Sequence, residues 1–236
     1  MSTSSALDSF LGKWHQRWPE WSLVEPFIEA AQRARVEAWF ALVQEFEDIY
    51  NASGDTTAVD AKLAWWGEEL RSWDAQRSRH PLGRVLDSVR APWADLADAI
   101  ADLPAARAAL ANPGVARTAL SGYAGAVAAV EAGLFGLPAT PAAAQAVVTQ
   151  TLAQRLERTG AQAVPASVAA SDSQRAVSAW ARELLAGWPL RSAGPRPRRV
   201  LAVLARLRLQ GLAADKPLTP HAATVLVKAW WAARGR

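Results

Sequence analysis

Three histidines, 22 carboxylates and no cysteine are the chain's supply of groups able to move protons or hold metals. His15, His80 and His221 lie far apart, and without Cys there is neither a thiolate nucleophile nor a zinc cluster. No glycine-rich phosphate loop of the Walker or dinucleotide kind is present. Any chemistry therefore falls to carboxylates on helices. The candidate is Phe40-Ala-Leu-Val-Gln-Glu-Phe-Glu-Asp-Ile-Tyr-Asn51. Glu47 and Asn51 share a helical face at i, i+4, and Asp48 sits one position around, so three oxygen-bearing side chains can point into one cavity. Such hard donors suit a divalent cation. The ordinary alternative is a solvated acidic face.

The elements that must position these groups are helical. Of 236 residues, 51% are apolar and 20% charged, with 12 Trp, enough for a sizeable core and incompatible with low-complexity disorder. Alanine, the best helix former, is abundant while β-branched Ile and Thr are scarce, which points to an all-α protein. Absence of Cys excludes a disulfide-stapled secreted domain. Charge is split: residues 1–118 hold 17 acids against 12 bases, net −5, and residues 119–236 hold 5 acids against 14 bases, net +9. A basic half suits an anionic partner. The start lacks a secretory pattern, and the uncharged run Thr118 to Val130 is too short and weakly apolar to cross a bilayer. The expectation is a cytoplasmic protein without a transmembrane segment, with peripheral membrane contact open.

Periodicity predicts eight to ten helices in a single domain, 1–236. Leu7, Phe10, Leu11, Trp14 and Trp18 mark a short amphipathic N-terminal helix within residues 1–20, ending before Pro19, with its stripe assigned to core packing. Ser22 to Ala52 reads as one long helix or two consecutive ones, then Thr56 to Gln76, a helix opened by His80-Pro81, and short pieces from Trp93 to Leu110 broken at Pro104. Gly114 to Phe135 is rich in small residues, Ser121, Gly122, Gly125, Ala129 and Gly133 among them, which would admit a close backbone or a flat ligand. Pro141 to Arg158, Asp172 to Leu185, a basic Pro-rich connector at 189–197, Arg198 to Leu212 and Thr219 to Ala233 complete the chain.

In order and spacing, Phe40 to Asn51, Lys62-Leu-Ala-Trp-Trp-Gly-Glu-Glu-Leu70 and His80-Pro81-Leu82 resemble the squalene and phytoene synthase family. In that family an Arg-x-x-Asp-Asp-x-x-Asp segment precedes a Lys-Leu-x-Trp-Trp-x-x-Glu-Leu helix and a His-Pro turn. Tyr123-Ala-Gly-Ala-Val-Ala-Ala129 looks like its Tyr-x-x-x-Val-Ala-Gly segment, and Lys228-Ala-Trp-Trp resembles its C-terminal end. The resemblance implies an isoprenoid-synthase fold: an all-α bundle around an apolar prenyl cavity, with Asp-rich motifs on facing helices holding Mg²⁺ against a diphosphate. Phe40, Trp65, Trp66, Tyr123 and Val127 are the cavity candidates. Trp65 and Trp66 point about 100° apart on a helix, so at most one lines the cavity, and core packing is the ordinary role for either.

The sequence departs from that pattern at its metal positions. Gln44 stands for the first-motif Arg, Glu47 and Asp48 for the Asp pair, and Asn51 for the third Asp. In the second motif, aligned on Gln154-Arg-Leu-Glu-Arg158-Thr-Gly-Ala-Gln162, Glu157 stands for an Arg while Arg158 and Gln162 take the two Asp positions. No Asp occurs between Asp102 and Asp172. A guanidinium cannot ligate Mg²⁺ and repels it. The resemblance therefore implies a degenerate, non-catalytic member, a prenyl-binding or assembly protein expected to need no cofactor. If the motif helices face each other as in the family, Glu47 or Asp48 should pair with Arg155 or Arg158 across the cavity mouth. The alternative is an active Mg²⁺-dependent prenyltransferase using the first motif alone.

Expected partners are a prenyl diphosphate or anionic lipid, or a protein. Arg191, Arg196, Arg198, Arg199, Arg206 and Arg208 form a basic cluster able to meet phosphates, and carry a further alternative of nucleic-acid or anionic membrane-surface binding. Nucleic acid is not the expected partner, since no recognised motif accompanies the cluster and Trp188 is its one nearby aromatic.

Overall fold

Prolines and polar caps set most helix boundaries. A computed structural model describes residues 3–169, 172–189, 193–216 and 220–235, and every regular element among them is helical. The first helix, α1 (Thr3–Arg17), stops before Pro19 as expected and buries Trp14, with Trp18 buried just past its end. The expected segment from Ser22 to Ala52 is broken near Pro26, which lacks the N–H a continuing helix needs. It yields α2 (Trp21–Val24), single 3-10 turns at Glu25–Phe27 and Ala30–Gln32, and then α3 (Arg33–Tyr50), which carries the acidic candidate.

The Trp-Trp helix is α4 (Thr57–Asp74). His80-Pro81 leads only into a single turn, α5 (Gly83–Leu86), rather than a full helix. A Cβ on Gly83 would lie 2.5 Å from Ser78 Cβ and 2.6 Å from the Trp73 ring, so only glycine lets this turn press on α4. Then come α6 (Trp93–Ile100) and α7 (Leu103–Ala108), with Pro104 in the first turn of α7.

The small-residue stretch divides at Leu120 into α8 (Pro113–Ala119) and α9 (Ser121–Phe135), bent by 46°. Only one of its glycines has the expected role: a Cβ on Gly133 would meet the Arg90 carbonyl at 2.9 Å, whereas those on Gly122 and Gly125 would meet nothing within 4 Å. After it come α10 (Pro141–Thr159), α11 (Ser173–Ala186), α12 (Arg196–Ala213) and α13 (Ala222–Arg234). The starts of α8, α10 and α11 are capped by Asn112, Thr140 and Asp172, whose side chains accept backbone N–H groups. Breaks at Pro26 and Leu120, together with several one- or two-turn pieces, raise the count among described residues to thirteen.

Packing runs from α4 to α6, α9, α10, α12 and α13 in succession, with α11 also on α12 and α1 on α3. Buried apolar residues from Trp14 to Ala229 form one contacting cluster. Trp39, Trp93 and Trp73 continue through it with ring centres 6.2 and 5.0 Å apart. Among the described residues no single helix is long and apolar enough to cross a membrane; α8 and α9 reach that length only together, through their bend.

Candidate functional site

The two helices expected to face each other do so through polar side chains. α3 is not among the helices packed closely on α10; long side chains span the gap. Asp48 and Arg158 form an ion pair across it, and Arg17 of α1 reaches the same Asp48 oxygen at 3.0 Å. Beside them, Gln154 with its amide nitrogen turned inward donates to Glu47, 2.7 Å from Oε1. The expected pairing between the two helices therefore occurs, at Asp48 and Arg158. Arg155 does otherwise: it lies over the Tyr50 ring at 4.5 Å and donates to the Arg107 carbonyl at 2.8 Å.

The remaining candidates divide between interior and surface. Gln44 is buried with Oε1 unpartnered, and both side-chain polar atoms of Asn51 are likewise buried without partners. Glu157 accepts from Arg208 at 2.9 Å, and Gln162 is exposed in a 3-10 turn, away from any role as a ligand. Glu47 is pushed up to about 7, chiefly by burial, with Arg17 and Arg198 pulling the other way. Burial also raises the Tyr123 hydroxyl, which is hydrogen-bonded to nothing.

These groups do not fit Mg²⁺. Asp48 is held by two guanidinium groups, its neighbour Glu47 is desolvated and lies against the Gln154 amide, and Arg158 puts a fixed positive charge opposite them. Among the described residues no three His, Asp or Glu side chains converge as a metal site.

Deeper in the bundle lies a charged network that sequence patterning missed. Glu131 and Arg198, both almost fully buried, form an ion pair; Arg198 Nε donates to Glu131 Oε1 at 2.9 Å and its Nη1 to Gln150 Oε1 at 3.1 Å. Trp39 Nε1 donates to the same Glu131 oxygen at 2.9 Å. The Arg198 guanidinium also covers the Phe40 ring at 5.2 Å. Phe40, Trp66, Tyr123 and Val127 are all core residues here, whereas Trp65 stays 39% exposed, so the Trp pair splits as its helical geometry requires. The signal was present: Glu131 is the only charge in α9, and a lone acid in an otherwise apolar helix needs a buried partner.

The motif residues around the His-Pro turn are structural. The fully buried Glu69 carboxylate accepts the backbone N–H groups of Arg79 and His80 at 2.7 and 2.8 Å, Trp73 Nε1 at 3.0 Å and Arg79 Nε at 3.0 Å. Burial alone would raise this carboxyl, but those donors hold it below its ordinary range. His80 is depressed to about 4, mainly by burial, and packs against Phe10 and Trp66 with ring centres 4.5 Å away in each case. A neutral, ring-enclosed imidazole at pH 7 pins a turn to a helix.

Most of the basic cluster is also engaged. Arg198 and Arg208 are buried, the latter bridging Glu20 and Glu157, and Arg196 pairs with Glu29 at 3.1 Å. Arg191 lies outside the described residues. Among the described members of the cluster, Arg199 and Arg206 are the two without an acidic partner.

No protein-family model matches this chain, nor does any curated protein sequence.

Proposed function

We propose that this protein is a non-catalytic relative of the squalene and phytoene synthases, acting through its surface as an assembly or docking protein. The observation that carries this proposal is the clamp on Asp48. Where an enzyme of that family would need cation-binding carboxylates on both helices, α3 and α10 are joined by Arg158 and Gln154, with Arg17 of α1 on the same Asp48 carboxylate. A fixed positive charge there repels a divalent cation, and with no such cation a leaving diphosphate has no metal to neutralise it.

Filling of the interior supports action at the surface rather than on an enclosed prenyl chain. Phe40, Trp66, Tyr123 and Val127 are packed, and the Glu131–Arg198 pair stands among them. An apolar chain threaded past that pair would strip partners from buried charges, at a cost of several kcal/mol.

Incubation with farnesyl or geranylgeranyl diphosphate, with and without Mg²⁺, tests the proposal through diphosphate release and titration heat. Expected are neither turnover nor binding heat in either buffer. Mg²⁺-dependent release would overturn the non-catalytic assignment, and heat without turnover would return the protein to prenyl binding.

A further inference from the structure

We propose that the outer face of α12 and α13 docks on an anionic phospholipid bilayer, with Leu226, Val227, Trp230 and Trp231 in the headgroup boundary and the cleft behind them receiving a lipid phosphate. These four side chains lie on one face of α13 at i, i+1, i+4 and i+5, each between 37% and 59% exposed. Four of the seven large apolar side chains exposed on the described surface are therefore on this one turn and a half of helix. With Phe27 they line a shallow depression. Beside it, between α12 and α13, a cleft of about 200 Å³ is walled by Trp188, Leu207 and Trp231 and carries Arg199, Arg206 and Lys228 at its polar side.

Charge decides what covers this strip. Neither α12 nor α13 contains an acid. Of the other segments packed on α13, α2 has none, and the 3-10 turn at Glu25–Phe27 contributes only Glu25, which faces Arg33 at 3.6 Å. Around the strip, Arg199 spends its hydrogen bonds on the carbonyls of Gly194, Ala232 and Ala233, so its charge is not neutralised. Arg206 has a buried Nε with no partner, and Arg234 lies over the Trp230 ring at 3.6 Å.

An aromatic strip rimmed by Arg199, Arg206 and Arg234, with Glu25 held by Arg33, is complementary to the glycerol and phosphate zone of an anionic leaflet. Tryptophan favours that zone because its ring is apolar while its N–H still finds acceptors, and each nearby cation adds about 1 kcal/mol of attraction. A protein partner would need a matching ring of acids around an apolar centre. A bilayer supplies both at every point of its surface. The inference is independent of the non-catalytic assignment: an active enzyme with this face would bind vesicles equally, and an inactive one without it would not.

Co-sedimentation with vesicles of phosphatidylcholine containing about 30% phosphatidylglycerol tests it, against pure phosphatidylcholine. Expected is salt-sensitive binding to the anionic vesicles, at least about tenfold weaker on neutral ones. Both W230A/W231A and R206Q/R234Q should lose about tenfold while keeping the wild-type circular dichroism, since Trp230, Trp231 and Arg234 are exposed and Arg206 is only partly buried. Equal binding by folded variants, or none by the wild type, would overturn the proposal. So would a wild-type dimer in sedimentation velocity that W230A/W231A dissolves, because the strip would then be a self-interface. Displacement by glycerol 3-phosphate beyond the effect of matched salt would assign the cleft to a soluble phosphate instead.

Discussion

Asp48 and Arg158, 110 residues apart in sequence, are paired across the gap between α3 and α10, and Arg17 holds the same carboxylate from α1. Because Asp48 and Arg158 are each about one-third exposed, the pair itself is worth less than about 1 kcal/mol. Its importance is what it prevents.

Replacing the guanidinium groups around Asp48 with carboxylate and amide should create cation binding. In R17Q/R158D the Asp48 carboxylate loses both guanidinium partners and gains a like charge, which should lower stability by about 1 kcal/mol in chelator. Millimolar Mg²⁺ should then raise the melting temperature of the variant and leave that of the wild type unmoved. A variant indifferent to Mg²⁺ would mean that α3 and α10 do not present their side chains to a common point.

Glu47 predicts an unusual pH dependence. Its carboxyl is raised from 4.5 to about 7 in the folded chain, so the folded state binds a proton more tightly than the unfolded one. Stability from this group is therefore greatest below pH 4.5 and falls as pH rises towards 7, reaching a penalty of about 3 kcal/mol above it. Glu47→Gln should flatten that slope and make the protein more stable than wild type at pH 8. Urea midpoints measured from pH 4 to 8 give the answer, and parallel curves for the two proteins would refute it.

Trp65 and Trp66 should respond very unequally to truncation. Trp66 is buried against Phe46 and His80 with centroids 5.7 and 4.5 Å away, so Trp66→Ala should cost about 3–5 kcal/mol. Trp65 is partly solvated and its replacement should cost under about 1 kcal/mol. Equal losses in chemical denaturation would place both side chains in the core.

Local chemistry was the legible part of this protein. Pro19, Pro141 and the caps at Thr140 and Asp172 mark their own boundaries, because a missing N–H or a side-chain acceptor acts within one turn. The break at Leu120 has no proline or glycine at that residue, so it was read through as continuous helix. Pairing of Asp48 with Arg158 could be anticipated only through a resemblance that placed two helices face to face. The Glu131–Arg198 pair could not be anticipated in that way, since 67 residues separate its members and Glu131 lies in a stretch read only as rich in small residues. Arg198 was counted with the surface cations because composition does not record which arginines turn inward.

That buried pair gives the sharpest test of how the interior is held. Glu131→Leu would leave the Arg198 guanidinium desolvated without its carboxylate and remove the acceptor of Trp39 Nε1, so it should cost about 3–5 kcal/mol. Adding Arg198→Met removes the stranded charge along with its demand for a partner. What then stays unpaired are the Trp39 N–H and the Gln150 oxygen, neutral groups worth about 1–3 kcal/mol each if unsatisfied. The double variant should therefore be more stable than Glu131→Leu alone, although below wild type. Additive losses in urea denaturation would mean that the charge of Arg198 is already neutralised by other groups, and that Glu131 is a hydrogen-bond acceptor for Trp39 rather than its counter-ion.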